Sequence, residues 1–384
     1  MISESASAPS TPRWIASPAF DLGLIIGPPV VAVTLVLLVP ALHAPEVPLW
    51  AWVVFVVFID VAHVYSSLYR TYFDPDELAR RRTLYLMTPL VCWAVGVVIY
   101  SLGALVFWRL LAYVAVYHFV RQQFGFVMVY RHRAGERDPL DRRLDQWAIY
   151  ATMLYPLVFW HAAGERPFAW FVDGDFVALP PWTATAAVWL YSAILGAFTL
   201  RQVWHAAHGR RPNWGKLGIV YSTAAVWYVG IVHFDSDFAF TVTNVVAHGV
   251  PYMALVWLYG RRKWGGQEQR GMGWMWRIHR PTAVGLFVGV LLLLAYFEEA
   301  LWDLLVWQEN AAAFGGLSLG FELPAAVLTL LVPLLTVPQA THYVLDGWIW
   351  KFDGSNPDLR QYLFGLPSDR DAFVDRVRMG ETAP

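Results

Sequence analysis

The sequence predicts an all-helical, polytopic integral membrane bundle of about ten transmembrane helices with both termini cytoplasmic. Three observations carry that expectation. Of the 384 residues, 57% are hydrophobic and only 15% charged, and mean hydropathy is +0.43; a soluble domain carries about 25% charged residues. Apolar stretches of the length a bilayer span requires, about 20 residues, recur along the whole chain. Basic residues alternate from one connector to the next, as the positive-inside rule demands. So little polar surface excludes a disordered chain and an ordinary soluble globule. A formal net charge of −1 leaves no basic patch, so no nucleic-acid partner is expected. The single cysteine, Cys92, excludes a disulfide framework, an iron–sulfur cluster and a thiolate zinc cage.

The apolar stretches run over 22–42, 48–69, 84–103, 104–130, 146–163, 183–207, 217–234, 238–260, 282–306 and 323–350. Breakers punctuate them: Asp74-Pro75-Asp76, Asp138-Pro139-Leu140, Pro180-Pro181 and Arg211-Pro212-Asn213. Between the third and fourth only Ser101-Leu102-Gly103 is available for a turn. Arg70 and Arg80–Arg82 follow the second span, and Arg131, Arg133, Arg137, Arg142 and Arg143 the fourth. Arg210, Arg211 and Lys216 follow the sixth, and Arg261, Arg262, Lys263, Arg270, Arg277 and Arg280 the eighth. Lys351, Arg360, Arg370, Arg376 and Arg378 follow the tenth. The opposite connectors hold one basic residue, Arg166, among Glu46, Asp173, Asp175, Asp235, Asp237, Glu309 and Glu322. This pattern places residues 1–20 as a cytoplasmic tail, 21–350 as the transmembrane bundle and 351–384 as a second cytoplasmic tail. The first twenty residues, rich in Ser, Ala and Pro with Arg13, make a poor signal-peptide start, so the first apolar stretch is read as a retained span. The expected location is the plasma (inner) membrane, crossed many times.

Ionisable groups at membrane depth are costly and usually functional. They fall on the even-numbered spans: Asp60 and His63; His118, Arg121, Gln122 and Gln123; Asn244 and His248; Gln339, His342 and Asp346; and Arg201, His205 and His208 at the end of the sixth. Even-numbered spans all run in one direction, so their depths compare directly. At about 1.5 Å rise per residue, His63 lies roughly 10 Å from its cytoplasmic end, His118 and His248 roughly 18 Å, and His342 about 13 Å. Four helices can therefore bring four histidines together. Asp60 shares a helix face with His63, and Asp346 with His342, by their spacing of three and four. Asn244, His248 and Tyr252 form a stripe, and Pro251 and Pro338 mark bends beside His248 and His342.

Imidazoles with carboxylates and no thiolate suit iron, manganese, copper or zinc. The expected site is one transition-metal centre, iron first among the candidates, with one or two ions. Its ligands are His63, His118, His248 and His342, with Asp60 and Asp346 as further ligands or as partners that orient the imidazoles. Arg121 and Gln122 are expected to position a polar group of the substrate or an oxygen species at the metal. Tyr117, Tyr252 or Tyr343 would donate a proton or hydrogen bond. The chemistry expected is oxygen-dependent oxidation of a lipid or isoprenoid (desaturation, hydroxylation or cleavage), with an electron-donor protein as partner. A centre at bilayer depth meets the middle of an apolar substrate laterally, which a polar substrate would not need. Two alternatives stand beside it: a b-type haem electron carrier using histidine pairs, and a proton- or ion-coupled transporter with these groups as a relay. A lone membrane histidine is more often an interhelical hydrogen bonder, and Asp60 by itself would simply pair with Arg121. Arg201, His205 and His208 read as headgroup contacts, and His43, His132, His161, His233 and His279 as incidental residues at loops and span ends. Lys216, Lys263 and Lys351 lie outside the apolar cores, which excludes a retinal Schiff base. No Walker-type loop occurs, and Cys92 has no basic neighbour at helical spacing.

Histidine clusters on transmembrane helices resemble those of membrane desaturases, hydroxylases and alkane monooxygenases. The HxxxH and HxxHH boxes of that class are absent; His205 and His208 give only an HxxH. Tyr117-His118-Phe119 and His248-Gly249 resemble short stretches of the Brp/Blh carotene-cleaving membrane dioxygenases, which use intramembrane histidines with iron. The resemblance covers a few dipeptides and implies a non-haem iron centre on the histidines already named. Thr341–Lys351, THYVLDGWIWK, reads as a motif with no activity attached.

Overall fold

The computed structural model describes residues 14–265 and 273–365, which form helices, turns and loops with no strand. Most of the two expected tails (1–13 and 366–384), the segment 266–272, and with them Arg13, Arg270, Arg370, Arg376 and Arg378 lie outside the described residues. Long helices occupy each of the apolar stretches: α1 (Pro18–Leu38), α2 (Leu49–Arg70), α3 (Arg82–Leu102), α4 (Ala104–Arg133), α5 (Pro139–Ala162), α6 (Trp182–Ala207), α7 (Trp214–His233), α8 (Asp237–Trp264), α9 (Pro281–Trp307) and α10 (Ala325–Ile349). Nine of them are long and apolar enough to cross a membrane, which marks a multi-pass membrane protein. The fifth expected span, 146–163, is the exception. It lies on α5, which opens with Asp141, Arg142, Arg143 and Asp145 and mixes Gln, Thr, Tyr, Trp and Pro among its aliphatic residues, so it falls short in apolarity.

The breakers become helix caps. Asp138 accepts the N–H of Asp141 at the start of α5, Asn213 that of Lys216 on α7, and Ser236 that of Ala239 on α8. Each such cap contributes about 1 kcal/mol. Gly103 alone separates α3 from α4; its φ of 145° is open to glycine and lets the chain reverse in one residue. α8 is the innermost helix and α6 the most peripheral: 72% of the apolar window of α8 is buried within the protein, against 6% for α6. The outward faces of α3, α6 and α9 carry Leu, Val and Trp, as a lipid-facing surface must.

Two helices next to the site are irregular. α2 is wound as a π-helix over Trp52–Val61, returns to α over Ala62–Ser66 and tightens to 3-10 over Ser67–Arg70. Such stretches are rare and collect at functional sites. α10 is jointed at Thr336, between Ala325–Leu335 and Val337–Ile349, where Pro338 supplies no N–H and the Thr336 hydroxyl donates to the Pro333 carbonyl at 2.9 Å.

The end of the bundle where α2 meets α3 is closed by an ionic knot. Arg70, 1% exposed, lies 3.1 Å from Glu77, which also pairs with Arg80 and with Arg81 at 3.1 Å and accepts the Tyr85 hydroxyl at 2.6 Å. Nearby, fully buried His279 donates its Nδ1–H to the Met275 carbonyl (2.9 Å) and lies so close to Gly260 that a Cβ there would be 2.1 Å from Nε2. Burial pushes the His279 imidazole down from its ordinary 6.5 to about 4. The unfolded chain thus takes up a proton near pH 6.5 while the folded one stays neutral until about pH 4. Stability is complete above pH 6.5 and falls as pH drops through that window, by roughly 3 kcal/mol at its lower end. Thermal unfolding in detergent should show a midpoint that declines from pH 7 to 5, and His279→Asn should flatten that decline.

Candidate metal centre

The even-numbered helices α2, α4, α8 and α10 carry His63, His118, His248 and His342 to one point. All four are buried, and each offers a ring nitrogen within 4.8 Å of those of the others. Their rings form a closed square. Centroids are 4.5 Å apart for His63–His248, 5.1 Å for His248–His118, 4.6 Å for His118–His342 and 5.1 Å for His342–His63. Adjacent planes are tilted by 65–85°, so the rings meet edge to face rather than stack.

Local sequence explains the convergence. Gly249, after His248, lets α8 touch α2: a Cβ there would lie 2.8 Å from Ile59 Cγ2 and 2.9 Å from the Ile59 carbonyl oxygen. Backbone atoms at that distance cannot give way cheaply, so Gly249→Ala should part the helices and weaken the square, read as a lower thermal midpoint and loss of bound metal. Pro251 lacks the N–H that would serve the Ala247 carbonyl, and the Gln123 amide donates there instead at 3.3 Å. Its neighbour Gln122 donates to the His248 carbonyl at 2.9 Å. Gln122, expected to face substrate, thus holds the backbone of a site histidine. Phe119 stacks flat on His248, centroids 3.6 Å apart and planes 10° from parallel, which fixes that ring. Nothing in the sequence marks Phe119 among the chain's 23 phenylalanines.

Asp346 sits between two of the histidines, its carboxylate 3.9 Å from His118 Nε2 and 3.7 Å from His342 Nδ1. Tyr252 donates its hydroxyl to the same carboxylate at 2.5 Å and presents its ring to His342 at 5.1 Å. Tyr343 lies against His118, centroids 4.7 Å apart, and its hydroxyl accepts from Gln339 at 2.7 Å. Asp60 approaches His63 Nδ1 at 3.6 Å and keeps 32% of its side chain accessible.

Two expected residues are not at the centre. Tyr117 is 65% exposed on the outside of α4. Arg121 is also exposed, donating to the Tyr150 hydroxyl at 3.1 Å and lying over Phe124. Helical geometry gives the reason: positions 117, 121 and 124 share a stripe, and the 3.6-residue period turns it away from 118 and 122. Arg121 therefore does not pair with Asp60 either. Asn244 bonds within its own helix, to the Phe240 carbonyl and Thr243. Arg201 and His205, expected at headgroups, instead turn inward to Asp141 at 2.7 and 2.9 Å; against the cost of burial, the hydrogen bonds from these two side chains hold the Asp141 carboxyl below its usual range.

Both nitrogens of His63, His248 and His342, and Nε2 of His118, are buried without a hydrogen-bond partner. Buried polar atoms almost always have partners, and each orphan costs about 1–3 kcal/mol. A metal ion bonded to imidazoles at about 2.1 Å would hold its ligand nitrogens roughly 3.4 Å apart in a tetrahedron and at most about 4.2 Å apart. The 4.8 Å limit of the square lies a few tenths of an ångström per ring from the longer of these, so the residues present fit a metal ion. No protein-family model matches this chain, and neither a curated protein nor a solved structure does.

Proposed function

We propose that the chain is a membrane metalloenzyme whose four imidazoles bind a transition metal, iron first among the candidates, and that it oxidises a lipid or isoprenoid with molecular oxygen. The observation that carries the reading is the set of seven orphaned imidazole nitrogens converging at one buried point. When bound, such a metal supplies redox chemistry at a depth that polar substrates do not reach. The protein's own residues bind and orient. Asp346 braces His118 and His342, Tyr252 holds Asp346, and Phe119 fixes the plane of His248. Tyr343, whose hydroxyl accepts from Gln339, keeps its own proton to donate to a substrate oxygen, whereas the Tyr252 proton is committed to Asp346. The accessible edge of Asp60 marks the side on which the centre is least covered. The square favours a bare ion over haem, because rings 4.5–5.1 Å from their neighbours on all sides leave no slot for a planar macrocycle between any two. The arginine-rich ends of the even-numbered helices face the cytoplasm in this reading, with an electron-donor protein meeting the bundle there.

Elemental analysis and an absorption spectrum of the detergent-purified protein test it. One or two equivalents of a transition metal without a Soret band are expected. A metal-free protein after gentle purification overturns the centre, and a Soret band turns the reading to haem.

A further inference from the structure

Four carboxylates inside the apolar helices take no part in the square as ligands, and their arrangement leads to it. α9 packs antiparallel on α2. Phe287 stacks on Tyr69 near one end of α2, with centroids 4.5 Å apart, and Tyr296 reaches Trp52 at the other through Phe314. Phe287, Leu291, Ala295 and Trp302 are buried on the face that α9 turns inward. Helical spacing puts Glu298 and Glu299 on that face too, three and four residues past Ala295, and Asp303 one turn beyond. Glu299 is within Coulombic reach of Glu298, Asp303 and, across the interface, Asp60. The Tyr65 hydroxyl and Trp302 indole lie against Glu298.

Among the described residues no lysine or arginine pairs with any of these carboxylates; the ion-pair neighbour of Asp60 is His63. Asp303 is 2% exposed; its Oδ1 accepts the N–H groups of Glu309 and Asn310 at 2.9 and 2.6 Å, and its Oδ2 has no partner. At the inner end His63, 3% exposed, directs an unpartnered Nδ1 to within 3.6 Å of Asp60 Oδ1. Uncompensated carboxylates at this depth are expensive, and they persist where they meet a cation. The four form a column from the α9–α10 loop to the histidine square, with a rise of about 6 Å per four residues along α9.

We propose that this column is the uptake route of a divalent cation: Asp303 receives the ion, Glu298 and Glu299 pass it inward, and Asp60 delivers it to His63. The proposal rests on the metal-centre reading above. Hard carboxylate oxygens bind a divalent ion loosely, and neutral imidazoles hold a transition metal more tightly, so transfer runs towards the square.

Metal-free protein in detergent is mixed with Co²⁺, and growth of the visible Co²⁺ absorption is followed. Glu299→Gln and Asp303→Asn should load about 10-fold more slowly or worse and still reach the wild-type final absorbance. Glu322→Gln, which removes one exposed charge at the same end, should load at the wild-type rate. The near-isosteric changes keep the caps and packing, and two positions guard against one variant failing to fold. Equal loading rates in wild type, Glu299→Gln and Asp303→Asn overturn the route and leave the centre standing. Wild-type protein that takes up no Co²⁺ overturns the centre itself.

Discussion

His118→Ala and His342→Ala should each lose the bound metal entirely on desalting, while the protein stays folded. Each substitution removes one corner of a four-ring square and leaves an apolar gap that cannot ligate. Loss of a ligand should exceed the roughly 10–100-fold cost in affinity of losing a residue that orients a ligand. Asp346→Asn and Tyr252→Phe supply that comparison. Asp346 touches two of the histidines and is held by Tyr252 at 2.5 Å, so both changes should weaken binding about 10–100-fold without abolishing it. Tyr117→Phe, on the outer face of the same helix as His118, should bind as wild type. Metal content by elemental analysis, with elution volume as the check on folding, reads all five variants. Retention of full metal by His118→Ala would show that the square is packing rather than ligation.

Glu77→Leu should be the most destabilising single change outside the metal centre. Glu77 holds three arginines and a tyrosine, and the innermost, Arg70, is 1% exposed beneath the ring of Tyr259. Removing the carboxylate strands the Arg70 guanidinium with the Ile349 carbonyl and Asn356 as its remaining acceptors, at 3.3 and 3.4 Å. Breaking a buried pair from one side costs about 3–5 kcal/mol, and removing both charges costs much less. The double variant Arg70→Met/Glu77→Leu should therefore recover a large part of the loss in a thermal unfolding experiment. A double variant as unstable as Glu77→Leu would mean that packing around Glu77, rather than the stranded charge, carries the effect.

How much of this was legible without coordinates depends on the range of the interactions involved. Hydropathy located the long helices because membrane burial acts on each segment by itself. The meeting of His63, His118, His248 and His342 was legible because each lies at a depth within its own apolar stretch that can be compared with the others. Tyr117 and Arg121 lie off the centre because the helical period puts them on the stripe of Phe124; closeness to His118 along the chain does not make a shared face. The inward turn of Arg201 and His205 is invisible in their own helix because the partner, Asp141, sits on another. The stacking of Phe119 on His248, the hold of Gln122 on a backbone carbonyl and the approach of α9 to Asp60 are tertiary pairings, and no spacing within one helix encodes them.

The π-wound stretch Trp52–Val61 ends two residues before His63 and includes Asp60. A π turn closes on i→i+5 bonds and so holds more residues than an α turn. Its winding therefore fixes a count of residues as well as a shape. Most substitutions along the outer face would leave that count intact. Deleting a single residue there would let the helix rewind as α, which advances about 100° per residue, and either His63 would swing away from the square or the α1–α2 loop would be dragged out of place. The segment tolerates changes of letter far better than changes of length, and its register is as much a part of the centre as the imidazole it delivers.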